Sequence, residues 1–225
     1  MTRPVLLFDV NETLLDVTSM GPAFEQTFNS PTFLGEWFST LLRFSLEVSV
    51  SGDYHPFDEL ARSALTATAA RHGKQLDDAT VGNLLAKMTE LPAHPDVRPG
   101  LEALKSAGFR IMALTNSRHE TAVAQLTFAG IVSEFDEVLT VESVRKFKPA
   151  PETYAYAAEQ AGVSVDQLMM IAAHDWDVNG ALLAGAQAAF LERPGVSLAP
   201  HDRIPDLRAP ELVSLSNKII ETHPK

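Results

Sequence analysis

The chain has no cysteine in its 225 residues, which removes disulfides, thiolate metal sites and cysteine nucleophiles from consideration. It also lacks any run near the roughly 18 uninterrupted apolar residues that cross a bilayer. Residues 1–4, Met-Thr-Arg-Pro, lead straight into an apolar run without a signal-peptide pattern. The expectation is a cytoplasmic protein with no membrane partner. Positive charge is scarce: 18 Lys and Arg against 29 Asp and Glu leave a net charge of -11. That balance disfavours nucleic acid and anionic membranes, while a local basic pocket remains able to attract a small anion. The seven histidines are scattered, with no HxxxH or HxH pair, so neither a metal site nor a cofactor is expected. With 45% hydrophobic residues, the chain can fill the core of one full-sized domain, with or without a smaller insertion. A small molecule is the expected partner.

Several short apolar runs end in polar residues. Val5-Leu6-Leu7-Phe8 ends in Asp9, Arg110-Ile111-Met112-Ala113-Leu114 ends in Thr115-Asn116, and Leu168-Met169-Met170-Ile171-Ala172-Ala173 ends in His174-Asp175-Trp176-Asp177. Ala188-Ala189-Phe190-Leu191 before Glu192 has the same form, and Glu137-Val138-Leu139-Thr140 is a fifth, less apolar, example. Such runs suit strands buried on both faces of a parallel sheet. Helical spacing over 99–107, 120–129 and 151–161, with glycines at 108, 130 and 162 as stop signals, supplies the alternation of a parallel α/β sheet covered by helices on both faces. Residues 17–94 break this rhythm, reading as helices over 32–48, 56–72 and 77–91 with no buried strand. The expected architecture is a Rossmann-like core of residues 1–15 and 96–225, with a helical cap of residues 16–95 inserted after the first strand. The tail beyond Glu192 carries no clear pattern.

In open parallel sheets ligands sit beyond the carboxyl ends of the strands. The polar residues placed there are Asp9, Thr13, Thr115, Asn116, Lys148 and Asp177. An aspartate of ordinary pKa, about 3.9, is ionised at neutral pH and can attack an electrophile without a general base. The bland alternative is that Asp9 caps a turn, and that Asp177 caps the helix after it.

Four segments, Phe8-Asp9-Val10-Asn11-Glu12-Thr13-Leu14, Leu114-Thr115-Asn116-Ser117, Lys148-Pro149 and Asp175-Trp176-Asp177, stand in an order that resembles the haloacid dehalogenase superfamily. Its members combine a nucleophilic Asp and a nearby Thr with a Ser or Thr, a Lys and a final acidic residue. The resemblance implies a family fold with an inserted cap. Within the family, phosphatases carry a second Asp two positions after the nucleophile to protonate the leaving alkoxide; here that position is Asn11, which cannot act as an acid at neutral pH. A departing halide needs no proton. The phosphonate-cleaving branch uses a lysine early in its cap, whereas the first lysine here is Lys74.

Finer details resemble the (S)-2-haloacid dehalogenases: Tyr154 six residues after Lys148, an arginine early in the cap for which Arg43 is the candidate, and the segment from Ala172 to Ala181. The resemblance implies hydrolysis of a small 2-haloacid through an aspartyl ester on Asp9, with inversion at C2. It further implies that Thr115 and backbone N–H groups hold the substrate carboxylate, that Lys148 neutralises clustered anions and that Arg43 and Asn116 cradle the halide. Thr13 would support Asp9, Asn11 and Tyr154 would line the substrate site, and Asp177, helped by His174, would orient or deprotonate water. Homodimerisation is implied as well. Three departures from the family pattern stand out, one being Ala172 where Ser is often found. Glu12 occupies a position usually held by Gly, and His174 one often held by Asn, where it either serves as a base or packs to brace the loop. The competing readings are a magnesium-dependent small-molecule phosphatase and a catalytically silent binding module of the same fold.

Overall fold

The computed structural model describes residues 3–224. Six strands form one all-parallel sheet: β1 (Val5–Phe8), β2 (Ile111–Thr115), β3 (Glu137–Thr140), β4 (Leu168–Ala172), β5 (Gln187–Leu191) and β6 (Leu207–Ala209), in the order β3-β2-β1-β4-β5-β6. Every residue of β1, β2 and β4 is buried, which requires cover on both faces and explains why these strands are solidly apolar rather than alternating. Phe8 lies opposite Ala113 of β2 on one side and Ile171 of β4 on the other. The chain order reverses around β1, so the connections leaving β1 and its neighbours diverge and open a crevice at the carboxyl ends.

The helices are α1 (Gly21–Phe28), α2 (Thr32–Ser51), α3 (Phe57–Arg71), α4 (Asp78–Ala86), α5 (Val97–Ala107), α6 (His119–Phe128), α7 (Pro151–Ala161), α8 (Asp175–Ala184) and α9 (Leu212–Thr222). The first four pack on one another around an aromatic cluster: Phe24 lies 5.2 Å from Trp37 and Phe28 stacks 4.4 Å from Phe33. The buried Trp37 indole donates to the Ala61 carbonyl at 2.9 Å, satisfying its one polar group and locking α2 onto α3. Two chain segments join this helical layer to the sheet side by side, with Asp16 N donating to Pro92 O and His94 N to Leu14 O. No helix among the described residues is long and apolar enough to cross a membrane.

Some expectations require correction. The helix read over 77–91 stops at Ala86 and continues only as a 3-10 turn, Lys87–Thr89. The second strand starts at Ile111 rather than Arg110, whose side chain instead donates to Ala161 O. The tail after Glu192 is structured: β6 extends the sheet and α9 packs on α5, where Gly100 leaves room for Leu212 and accepts from Ser216.

Candidate active site

β1 delivers Asp9 to the centre of the crevice, 5% exposed. The turn that follows bends back so that Thr13 Oγ1 donates to Asp9 Oδ2 at 2.6 Å, while Ala173 N, just past β4, donates to Thr13 Oγ1 at 2.9 Å. Arg193, beyond β5, fixes this turn from behind: its guanidinium donates to Thr13 O and forms a two-pronged pair with Asp96 at 2.8 Å. The Asp9 carboxylate is therefore held on a rigid loop rather than free to cap one.

Lys148 enters the cluster from the chain between β3 and α7. Its wholly buried ammonium donates to Asp9 Oδ1 at 2.7 Å, Asp177 Oδ2 at 2.7 Å and Leu114 O at 2.9 Å. Three donors thus meet three acceptors, as a buried ammonium demands. Asn116 accepts from the Lys148 backbone at 3.0 Å and fixes where the lysine enters. Asp177 sits in the first turn of α8, and its Oδ1 accepts from the Tyr154 hydroxyl at 2.6 Å. His174 caps the same helix start. Its Nδ1 lies 3.1 Å from Asp9 Oδ2 and its Nε2 2.7 Å from Glu12 Oε2. Both ring nitrogens face carboxylates, which only accept, so both carry protons and the ring is an imidazolium. Trp176 stacks on it at 4.8 Å, with Phe38 at 6.5 Å.

The charges follow from this geometry. Burial alone would raise the Asp9 carboxyl, but the Lys148 charge and the hydrogen bond and charge of His174 outweigh it and hold the group well below the usual carboxylate range. Burial opposes the charge on His174, yet its bonds to Asp9 and Glu12 push it up to about 10. Burial also opposes the Lys148 charge, but Asp177 and Asp9 more than compensate and raise it. Asp177 goes the other way. Its own burial, with the nearby Asp9 charge, outweighs Lys148 and raises it, and burial together with the Asp177 charge raises Tyr154 well above its ordinary value. The cluster therefore presents Asp9 as its most firmly ionised carboxylate.

Asp9, Thr13, Lys148, His174 and Asp177 converge on one cluster, and Asn116 buttresses it. Other expected residues do not occupy their assigned places. Tyr154, read as a substrate contact, is fully buried and spends its hydroxyl on Asp177; it positions a carboxylate instead. Asn11 donates to Ser117 Oγ and accepts from Gln125 Nε2, so its amide ties the β1 turn to α6 rather than facing a substrate. The Arg43 side chain is 58% exposed and pairs with Glu47 one turn on, as an arginine on an amphipathic helix tends to. It does line the wall of a cavity of about 270 Å3 that reaches Lys148 past Leu42, Leu46 and Trp176. Asp177, expected to activate water, has one oxygen on Lys148 and the other on Tyr154. Thr115 is buried and accepts from Ser117 N at 3.1 Å, leaving its own hydroxyl proton as a donor. The sequence reading missed Gln125 and Phe38, which carry no local signal, and saw in Glu12 only an anomaly.

Among the described residues no group of three or more His, Asp or Glu is arranged to hold a metal ion; the Lys148 ammonium stands between Asp9 and Asp177. A family model described as haloacid dehalogenase-like hydrolase matches residues 4–185. The chain is 28% identical over 216 residues to haloacetate dehalogenase H-2 of Moraxella sp. (strain B), covering 95% of this chain and 96% of that protein. It is 25% identical over 218 residues to (S)-2-haloacid dehalogenase H-109 of Pseudomonas putida, covering 96% and 97% respectively. Among solved structures, the L-2-haloacid dehalogenase of Xanthobacter autotrophicus superposes with a TM-score of 0.93 at 23% identity, over 99% of this chain and 100% of that one. The same enzyme with chloropropionic acid covalently bound gives 0.92.

Proposed function

The chain belongs to the haloacid dehalogenase-like hydrolase family, and from that footing we propose that it hydrolyses small (S)-2-haloacids to 2-hydroxy acids through an ester on Asp9. The observation that carries this reading is the Lys148 ammonium held between Asp9 and Asp177. It keeps the nucleophile ionised and supplies a positive charge for an anionic substrate. An alkoxide leaving group would need an acid two residues after the nucleophile, as the family's phosphatases have it. Asn11, at the position from which it would come, has its amide committed to Ser117 and Gln125, whereas a halide departs unprotonated.

In the reaction, an Asp9 oxygen attacks C2, the C–O bond forms as the C–X bond breaks, and the halide leaves with the electron pair on the opposite side. Configuration at C2 inverts. Holding nucleophile, carbon and leaving group in line can lower the barrier by roughly 7–11 kcal/mol, so the site must fix both ends of a tiny molecule. Thr115 and neighbouring backbone N–H groups hold the substrate carboxylate. The amide NH2 of Asn116 faces the charge that appears on the halogen only during cleavage, which is where a donor accelerates the reaction. The helices of residues 16–95 act as the cap, and Arg43 on its cavity wall draws the anionic substrate toward Lys148.

The test is halide release from chloro-, bromo- and fluoroacetate and from both enantiomers of 2-chloropropionate, without added metal, by the native protein and by Asp9→Asn. The native protein should release halide from the S enantiomer in preference to the R, and the variant should be slower by on the order of 10^3-fold or more. Comparable turnover by Asp9→Asn would remove the nucleophile from the scheme.

A further inference from the structure

Two lysines flank Phe147, and they go to different layers of the molecule. Lys148 turns into the core to reach Asp9 and Asp177, while Lys146 turns to the cap, where its ammonium donates to Ser49 O at 2.6 Å. That carbonyl lies in the last turn of α2, where helix carbonyls lack an intrahelical donor and the helix dipole favours a cation. The residue between the lysines is held by the cap as well. The Phe147 N–H donates to Ser49 Oγ at 2.9 Å, and its wholly buried ring stacks 5.3 Å from Tyr54 and lies 5.8 Å from Phe57, both cap residues. One peptide further on, the Lys148 N–H donates to Asn116 Oδ1 in the core at 3.0 Å. Successive N–H groups are thus held by different layers.

Residues 146 and 147 belong to no helix or strand, so no regular ladder sets where they lie. Arg145 before them stands in left-handed backbone, φ 51°, a conformation that a side chain keeps only where its surroundings over-determine it. Its guanidinium lies 5.3 Å over the Tyr54 ring, once more a cap group. A buried N–H must find an acceptor, and the one given to Phe147 is a single hydroxyl on α2. If that hydroxyl is lost, Phe147 shifts to find another partner and the next residue moves with it.

We propose that Ser49 is a positioning residue for Lys148: through its hydroxyl and carbonyl the cap sets how far the lysine reaches, and the ammonium meets Asp9 and Asp177 only when the cap is seated. The proposal rests on the haloacid reading above. It gives the cap a second task. Covering the crevice keeps water from the substrate, while seating Phe147 brings in the charge that keeps the nucleophile ionised. An open cap leaves the site both wet and short of its cation, so attack on C2 waits for closure. A misplacement of 1 Å in such a site can cost about 100-fold in rate. The cavity that leads to Lys148 is walled by Leu42, Arg43, Leu46 and Trp176 and not by Ser49, so Ser49 acts on the rate of attack rather than on the grip on substrate.

Single-turnover alkylation by (S)-2-chloropropionate, read as halide released per site, tests this in the native protein, Ser49→Ala and Ser49→Thr. Ser49→Ala should lower the maximal rate by roughly 5- to 10-fold, the scale of one hydrogen bond, with the half-saturating substrate concentration unchanged. Ser49→Thr keeps the hydroxyl and should restore the rate. A second readout needs no turnover. With the lysine side chains isotope-labelled, the Lys148 ammonium protons, each bonded and out of water, should exchange slowly in nuclear magnetic resonance spectra of the native protein, faster in Ser49→Ala and slowly again in Ser49→Thr. Native rate and native exchange in Ser49→Ala overturn the proposal, as does a loss that Ser49→Thr fails to restore or that shows only as weaker substrate binding. If the native protein releases no halide, the haloacid reading fails, while the exchange measurement still decides whether Ser49 holds the lysine.

Discussion

Lys148 is a side chain without which the cluster cannot keep its charges. An ammonium wholly out of water is tolerated only because two carboxylates and the Leu114 carbonyl replace its hydration. Substituting Lys148→Met keeps the volume and removes the charge, leaving Asp9 and Asp177 buried as unbalanced anions. Breaking a buried pair from one side costs roughly 3–5 kcal/mol, so urea unfolding should show a loss of that order. Single-turnover alkylation of Asp9 should slow sharply as its carboxyl rises toward the ordinary range and beyond. A variant with native stability and native alkylation would show that the ammonium is incidental. At this scale Asp9, Thr13, Lys148 and Asp177 were legible because the segments carrying them stand in the order of the family pattern they resemble, with Asp9 closing an apolar run. The pairing of Glu12 with His174 was not, since 162 positions separate them and only the return of β4 beside β1 brings them together. What the side chains of Arg43 and Tyr154 touch was not legible for a related reason. Spacing puts a residue on an element without saying whether its polar end turns to the crevice, to a neighbour or to solvent.

The start of α8 is the element on which the site depends, because His174 stands at its N-cap and Asp177 in its first turn. Its sequence has little amphipathic character, and what seats it is close approach: a Cβ on Gly180 would lie 2.3 Å from Pro149 Cβ and 2.9 Å from the Tyr154 hydroxyl. Those neighbours are not idle. Pro149 follows Lys148 directly, and the Tyr154 hydroxyl is the one that grips Asp177. Gly180→Ala gains helix propensity of up to about 1 kcal/mol, but the overlap should win, costing about 1–3 kcal/mol as overpacking does. It should also displace the Tyr154 hydroxyl, so that activity falls more than stability alone accounts for; thermal unfolding and halide release on the same sample separate the two effects. A gain in melting temperature with full activity would refute this account of α8. Elements of this kind were readable where they alternate regularly, as β1, β2 and β4 do with their helices. They were hidden in the tail, where β6 has only three residues and α9 finds its partner in Gly100 of α5, far away in sequence.

For the molecule as a whole, the same ion cluster ties stability to pH. Asp9 is held below its unfolded value of 3.8, so its contribution is present above that pH and is lost as acid carries the solution down through the lowered value. His174 is raised from 6.5 to about 10, so its contribution is complete below 6.5 and is lost as pH rises through about 10. Between those two values the unfolded chain has released its histidine proton while the folded chain keeps it, and stability must decline with rising pH. Both signs place the maximum between the unfolded values of 3.8 and 6.5. The net charge of -11 adds a smooth repulsion that grows with pH in any variant, so the native curve alone does not isolate the histidine. His174→Gln does, because it retains every other charge. Measured by urea unfolding at about pH 6 and about pH 9, the stability difference between native protein and variant should narrow by about 1 kcal/mol or more at the higher pH. A constant difference across that interval would mean that the ring is not doubly protonated in the folded state, and the electrostatic frame that holds Asp9 ready would have to be rebuilt without it.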